Sequence, residues 1–230
     1  MSGNGILEPV PGSKAVTQGE VKDIQCCGVD TVIVGCVSVG VCVYHLNMAT
    51  AELVLVQRER QSTLVTSLER FSPTRVIVTS MEGSIYGLQH GEVGGTNYED
   101  LKSEFRFRLS EMPLQARIAN LSLDSTTGQR GPVVVLLGIL GTMTCLIPLD
   151  QEEHAALEYV QRHHTKSIPL LNNSHQEYRG NSPHCDLVID GDLLVALTRS
   201  LSHDKETGTS LDTTRDQAFK ILAKKFAQIQ

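Results

Sequence analysis

The sequence of 230 residues carries a formal net charge of −6, a length that suits one or two ordinary domains. The acidic excess counts against a phosphate-binding surface, which needs clustered Lys and Arg, and favours a protein partner. Apolar residues make up 40% of the chain, with no Trp and only 4% aromatics, so the core has to be built from Val, Leu and Ile, and the β-branched members of that set fit pleated sheets.

The first twenty residues are rich in Gly, Pro and Ser and read as a flexible tail. They lack the basic start and long apolar run of a secretory signal. No apolar stretch reaches the ~20 residues of a membrane helix. The expected address is cytosol or nucleus, with no membrane partner.

Residues 21–149 repeat one plan three times. Thr31-Val32-Ile33-Val34-Gly35 precedes Gly40-Val41-Cys42-Val43-Tyr44, Arg75-Val76-Ile77-Val78-Thr79 precedes Gly83-Ser84-Ile85-Tyr86-Gly87, and Val133-Val134-Val135-Leu136-Leu137 precedes Gly141-Thr142-Met143-Thr144-Cys145. Each is a buried strand, a short Gly-bearing turn and a second strand, the pattern of a β-hairpin. The first two copies start 44 residues apart, the period of a propeller blade, roughly 40–45 residues. Single strands at Leu53 to Arg58, Thr63 to Leu68, Phe105 to Leu109 and Ile118 to Leu123 would complete the blades. The polar, Gly-rich stretch from Gly91 to Ser103 displaces the third copy and reads as a surface loop. Three blades leave open sheet edges, because closed propellers have four to eight blades. The sequence therefore reads as part of a larger ring, the rest of which belongs to a longer chain or is supplied by a partner.

From residue 150 the periodicity becomes helical. Asp150 is a natural N-cap for a helix running to about His164, with Leu157 and Val160 on its apolar face. Ile168 to Leu171 is a Pro-containing connection. A second helix follows Asp192 and runs to about Leu201, and Ser202 to Gly208 is a polar loop. The last helix begins at Asp212 or Thr214 and runs to Ile229, with Ala218, Phe219, Ile221, Leu222 and Phe226 at three- and four-residue spacing. The fold class is mainly β with C-terminal helices: a partial β-propeller of about three blades over 21–149, and a small α-helical region over 150–230.

No catalytic, metal or cofactor motif emerges. The six cysteines, Cys26, Cys27, Cys36, Cys42, Cys145 and Cys185, include no C-x-x-C pair and read as small buried hydrophobes in a reducing compartment. Adjacent Cys26 and Cys27 on a strand face opposite ways, which disfavours a vicinal disulfide. His154, His163 and His164 lack an acidic or thiol ligand at recognisable spacing. Lys224-Lys225 complements a helix C-terminus. A nucleic-acid surface could draw on Lys102, Arg106, Arg108 and Arg117, which are near one another in the chain.

One segment says more. Val188-Ile189-Asp190-Gly191-Asp192-Leu193-Leu194 follows His175-Gln176-Glu177-Tyr178-Arg179-Gly180. On chemistry alone it is a strand end, a turn with Gly191 at positive φ, and a helix capped by Asp192. On that reading a β-branched residue at 191 costs more than ~1 kcal/mol. Carboxylates at i and i+2 around a glycine define a turn and cap more readily than an acid/base or cation site.

The order of Tyr178-Arg179 and Ile189-Asp190-Gly191-Asp192-Leu193, after a Gly-rich hairpin ending Leu146-Ile147-Pro148 and an acidic helix, resembles the C-terminal region of the cleavage and polyadenylation specificity factor A-subunit family. Val188-Ile189 is similar to its splicing factor 3b subunit 3 branch. The resemblance implies a non-enzymatic nuclear scaffold with no cofactor, acting in pre-mRNA splicing through the U2 particle and branch-site recognition. Its partners would be proteins of a multi-subunit complex, among them a helical-repeat splicing subunit, with nucleic-acid contact indirect. Other branches imply an adaptor of a cullin ubiquitin ligase of the DNA-damage-binding type, or an mRNA 3′-end cleavage factor subunit. The stretch after the Arg, Gly180-Asn181-Ser182-Pro183-His184, departs from the family in being poor in aromatics.

Overall fold

A computed structural model describes residues 19–91, 99–123, 130–164, 175, 179, 187–201 and 212–227. The expectations for the N-terminal tail as far as residue 18, the Ile168–Leu171 connection, Cys185 and the 202–208 loop fall outside the described residues. Among the described residues, strands β1 (Val21–Cys26), β2 (Thr31–Cys36), β3 (Gly40–Asn47), β4 (Glu52–Arg58), β5 (Val65–Ser72), β6 (Arg75–Ser80), β7 (Ser84–Gln89), β8 (Glu99–Asp100), β9 (Lys102–Arg108), β10 (Pro113–Leu123), β11 (Arg130–Gly138) and β12 (Met143–Leu146) precede helices α1 (Gln151–His164), α2 (Gly191–Leu201) and α3 (Asp212–Ala227). No described helix is long and apolar enough to cross a membrane.

The strands form three sheets, ordered β1-β2-β3-β4-β8, β5-β6-β7-β9 and β10-β11-β12. The hairpins β2–β3, β6–β7 and β11–β12 are antiparallel. Their turn glycines, Gly40, Gly83 and Gly141, take φ of 85°, 78° and 88°, a region open to Gly without Cβ strain. Three sheets with this repeated hairpin are consistent with a propeller fragment. The loop expected over Gly91–Ser103 ends sooner than its composition predicts. Its 92–98 portion lies outside the described residues, but β8 pairs in parallel with β4 through Gln57–Glu99 and Arg58–Asp100, and Leu101 is buried. The apolar Leu101, flanked by polar residues, pins the return of the chain.

The chain divides into two compact units, residues 1–104 with 112–116, and residues 105–111 with 117–230. In the first unit, Ile33, Val41 and Val43 of the first sheet share a core with Val65, Leu68, Val76, Val78, Tyr86 and Leu88 of the second. A second apolar layer on the first sheet joins Val34, Cys36, Cys42 and Tyr44. Tyr86 is fully buried, and its hydroxyl donates to Glu59 Oε2 at 3.1 Å. The buried Glu59 also accepts from Thr63 Oγ1 at 2.8 Å and Val41 N at 3.2 Å. Its carboxylate fills the space over Gly40 where a Cβ would stand, 2.6 Å from Oε2. Gly40 is therefore required twice, for its dihedral and for this approach.

In the second unit, Leu157, Val160, Leu194 and Ala218 form a helical core with Leu149, Ile189, Leu193, Ile221 and Leu222 against it. Asp150 caps α1 as its sequence predicts: Glu153 N donates to Asp150 Oδ1 at 2.8 Å, and Glu153 Oε2 accepts from Asp150 N at 3.1 Å. This is a reciprocal capping box. Lys224 and Lys225 lie in the last turn of α3, as expected, and Lys225 has a further role. Its ammonium lies 2.8 Å from Glu153 Oε2 and donates to the Pro148 carbonyl at 3.2 Å, so α3 is tied to the start of α1.

The β11–β12 turn is held by Glu111, whose carboxylate accepts from Leu140 N at 2.9 Å, Thr142 N at 3.2 Å and Thr142 Oγ1. Glu111→Ala is expected to accelerate amide exchange at Leu140 and Thr142 while leaving global melting nearly unchanged, because solvent replaces exposed bonds at little cost. Unchanged exchange at both amides in a hydrogen-exchange NMR series would show that the turn holds itself.

Candidate functional site

The motif predicted around Asp190 becomes a buried ionic hub. Asp190 is 4% exposed. One carboxylate oxygen, Oδ2, lies 2.8 Å from His175 Nε2 and 2.6 Å from both Nε and Nη2 of Arg179. An ionised carboxylate only accepts, so the His175 Nε2 must carry the proton. The other oxygen, Oδ1, accepts from Leu193 N at 3.3 Å, and the Asp190 N–H donates to Gln161 Oε1 of α1 at 2.7 Å.

Arg179 continues the network. Its guanidinium stacks over Phe107, 4.9 Å from the ring centroid, and Nη1 donates to the Arg108 carbonyl at 3.1 Å. His175 and Arg179 are both helical, and a spacing of four residues puts them on one face. The hub therefore joins β9, α1, His175, Arg179 and the start of α2. Burial, the largest influence on the Asp190 carboxyl, pushes it up. The His175 hydrogen bond, the charge and hydrogen bond of Arg179 and the Leu193 amide together outweigh burial and hold it below its ordinary value.

The geometry corrects two expectations. Gly191 does not sit at positive φ: it is the first residue of α2, and a Cβ added there would meet no atom within 4 Å. The cap is Asp190, not Asp192. Asp190 bonds the Leu193 amide through Oδ1, and its carbonyl accepts from Leu194 N at 3.1 Å. The Asp-Gly pair was read as a turn, whereas the turn has already become the first helical residue. Asp192 is exposed in the first turn of α2, where its charge favours the helix dipole. Gly191→Ala is accordingly expected to raise stability by about 0.5 kcal/mol. A loss above ~1 kcal/mol in urea unfolding would restore the turn reading.

Of the remaining motif residues, Ile189 and Leu193 pack against the helical core, and Tyr178 lies outside the described residues. His175, Gln161, Phe107 and the Arg108 carbonyl join the site without having been assigned to it. The i, i+4 spacing of His175 and Arg179 was the one signal in the sequence.

The basic residues do not make a continuous positive surface. Lys102, Arg106 and Arg108 alternate along one face of β9, but Glu104 interrupts them and pairs with Arg75 at 2.9 Å. Arg106 and Arg117 both have interaction partners. Cys26, Cys27, Cys36, Cys42 and Cys145 are free thiols, Cys26 exposed and Cys145 half-buried. Burial pushes the thiols of Cys27, Cys36, Cys42 and Cys145 up, away from the nucleophilic thiolate. Among the described residues, no three His, Cys, Asp or Glu side chains converge as metal ligands would. The side chains of His163 and His164 are outside that set.

Residues 12–199, most of the chain, match the protein family described as the CPSF A subunit region. The chain belongs to the CPSF A subunit family. None of the curated proteins matches it. The CPSF A region contains the whole hub, from Phe107 to Leu193, while α3 lies beyond the match. CPSF A membership suggests a scaffold-like role in RNA processing, within a multi-protein complex.

Proposed function

We propose that the chain is a non-enzymatic nuclear scaffold of the splicing factor 3b subunit 3 type, acting in pre-mRNA splicing at branch-site recognition by the U2 particle. The observation that carries this reading is the saturation of the Asp190 carboxylate. The most distinctive acidic group of the CPSF A motif is spent on Arg179, His175 and a helix cap, and a carboxylate so engaged organises structure and does not transfer protons. Val188-Ile189 before Asp190 favours the splicing branch over the ligase-adaptor branch. The work of such a protein is burial of partner surface by rigid β loops. Its partners on this reading are proteins of the splicing complex, including a helical-repeat subunit, and nucleic acid is met through them.

Affinity purification of the tagged chain from nuclear extract tests the proposal. Branch-site complex proteins are the expected co-purifying set. Recovery of a cullin would move the chain to the ligase-adaptor branch, and recovery of 3′-end cleavage proteins would move it to the cleavage branch. Filter binding to single-stranded RNA is expected to give no retention at low salt. Retention that falls steeply with added salt would identify direct phosphate contacts.

A further inference from the structure

Sheet edges aggregate unless something blunts them, and charge, bulges, Pro and short strand length are the usual devices. Five of the six edge strands in the three sheets carry charge, a bulge or Pro, and the sixth has only its four-residue length. β1 carries Lys22, Asp23 and a bulge, β5 carries Glu69, Arg70 and two register shifts, and β8 is Glu99-Asp100. β9 holds Lys102, Glu104, Arg106 and Arg108, and β10 holds Pro113 and Arg117. The sixth is β12, whose sequence is Met143-Thr144-Cys145-Leu146. It has no charge and no Pro, and it pairs with β11 without a register shift.

β12 also stands where the other two hairpins are covered. In the first sheet β4 lies beside β3, and in the second β9 lies beside β7. Among the described residues no strand lies beyond β12. The chain leaves it as Ile147-Pro148-Leu149-Asp150 and enters α1, so the stretch that would fold back as a fourth strand is helical instead.

The ladder shows which groups face the open side. Gly138 N donates to the Thr142 carbonyl at 2.9 Å, and bonded pairs alternate along an antiparallel ladder. Leu136–Thr144 and Val134–Leu146 are therefore the bonded pairs, and the N–H and C=O of Met143 and Cys145 point away from β11. Beside this edge Met143 is 69% exposed, with Leu137, Ile139 and Leu140 exposed next to it. Glu111 braces the turn that carries Ile139 and Leu140.

We propose that β12 takes up an extended segment of a partner polypeptide as the fourth strand of its sheet, through the backbone of Met143 and Cys145. The segment would carry aliphatic side chains at alternate positions, as β4 does with Leu53 and Leu55. Main-chain bonds supply the affinity in such strand addition, and alternate side chains supply the selectivity. The inference rests on the scaffold reading and names one of the surfaces by which the scaffold holds its partner.

The probe is a capped peptide with the sequence of residues 51–60, which contains β4, added to the purified 230-residue chain. Hydrogen-exchange NMR should show slowing of about tenfold or more at the Met143 and Cys145 amides, with Thr144 and Leu146 unchanged. Cys145→Pro removes one outward N–H and leaves the β11 bonds in place, so it should abolish that protection and peptide binding. No protection at 143 and 145, or equal binding by a folded Cys145→Pro chain, overturns the proposal. So does a chain that alone already protects both amides, as a monomer or as a dimer, because the occupant would then be this chain itself or a second copy. The alternating pattern in the wild-type chain decides the question even where the Pro variant does not fold. Recovery of the chain without any RNA-processing complex would sink the functional reading but leave this exchange pattern unaffected.

Discussion

Asp190→Ala should destabilise the second unit by about 3–5 kcal/mol, the cost of breaking a buried ion pair from one side. The substitution leaves the Arg179 guanidinium, only 11% exposed, facing a vacated site. It also releases the Leu193 amide from its cap and takes the acceptor from His175. One variant separates the charge from the cap. Asp190→Asn retains an oxygen for the Leu193 cap and removes the charge, and is expected to cost less, about 2 kcal/mol. Urea unfolding followed by helical circular dichroism reads the second unit, where α1, α2 and α3 lie. A loss under ~1 kcal/mol for Asp190→Ala would mean that Arg179 reaches solvent and the hub is not buried.

The pH dependence has a fixed sign. The folded Asp190 carboxyl ionises below its ordinary value, so the unfolded chain takes up its proton first as pH falls. The contribution is complete above the unfolded value of about 3.9 and disappears as pH drops through the folded one. The stability gap between wild type and Asp190→Asn should be constant from neutral pH to about pH 5 and close only in stronger acid. A gap that closes near neutrality would transfer the titration to another group.

The second large effect is expected at Leu68. This side chain is fully buried between the first two sheets, and Leu→Ala at such a site costs about 2–5 kcal/mol through lost transfer energy and the cavity left behind. Its backbone is fixed independently, since Leu68 N donates to Asp23 Oδ2 at 2.9 Å, so collapse around the cavity is limited and the upper half of that range applies. Across the interface Gly35 has no room for a Cβ: the atom would lie 2.7 Å from Val65 Cγ1 and 3.1 Å from Leu68 Cγ. Gly35→Ala alone should cost about 1–3 kcal/mol by overpacking. In the Leu68→Ala background it should cost less, because the Leu68 half of the clash is gone. Strict additivity in this double-mutant cycle would show that the two sheets do not meet at these residues.

The sheets were legible because their information is local. A run such as Val76-Ile77-Val78 followed by Gly83 names both the strand and the backbone freedom of the turn, and the same holds at Gly40 and Gly141. α1 was legible for a similar reason, since Asp150 and Glu153 cap within one turn. β8 was not: two acidic residues in parallel pairing with β4 have no periodicity, and only Leu101 hints at the return. At the motif, the residue types pointed to Asp190 and Arg179, but not to how they act. The hub needs Phe107, Gln161 and His175, brought from distant stretches by the tertiary fold, and no spacing rule links them. Gly191 was misread because Asp-Gly serves a turn and a helix start equally well. The difference lies in whether Leu193 N or a hairpin partner claims the Asp oxygen.

The tie between Lys225 and the start of α1 has a consequence for synthesis. The hairpins can close as each emerges from the ribosome, since their partners are neighbours in sequence. α1 cannot reach its final packing until α3 has been translated, because Ala218, Ile221 and Leu222 complete the core around Leu157, and Lys225 pairs with Glu153. Through that interval the apolar stripe of α1 stays open to chaperones, and a premature stop before residue 218 would leave it so permanently.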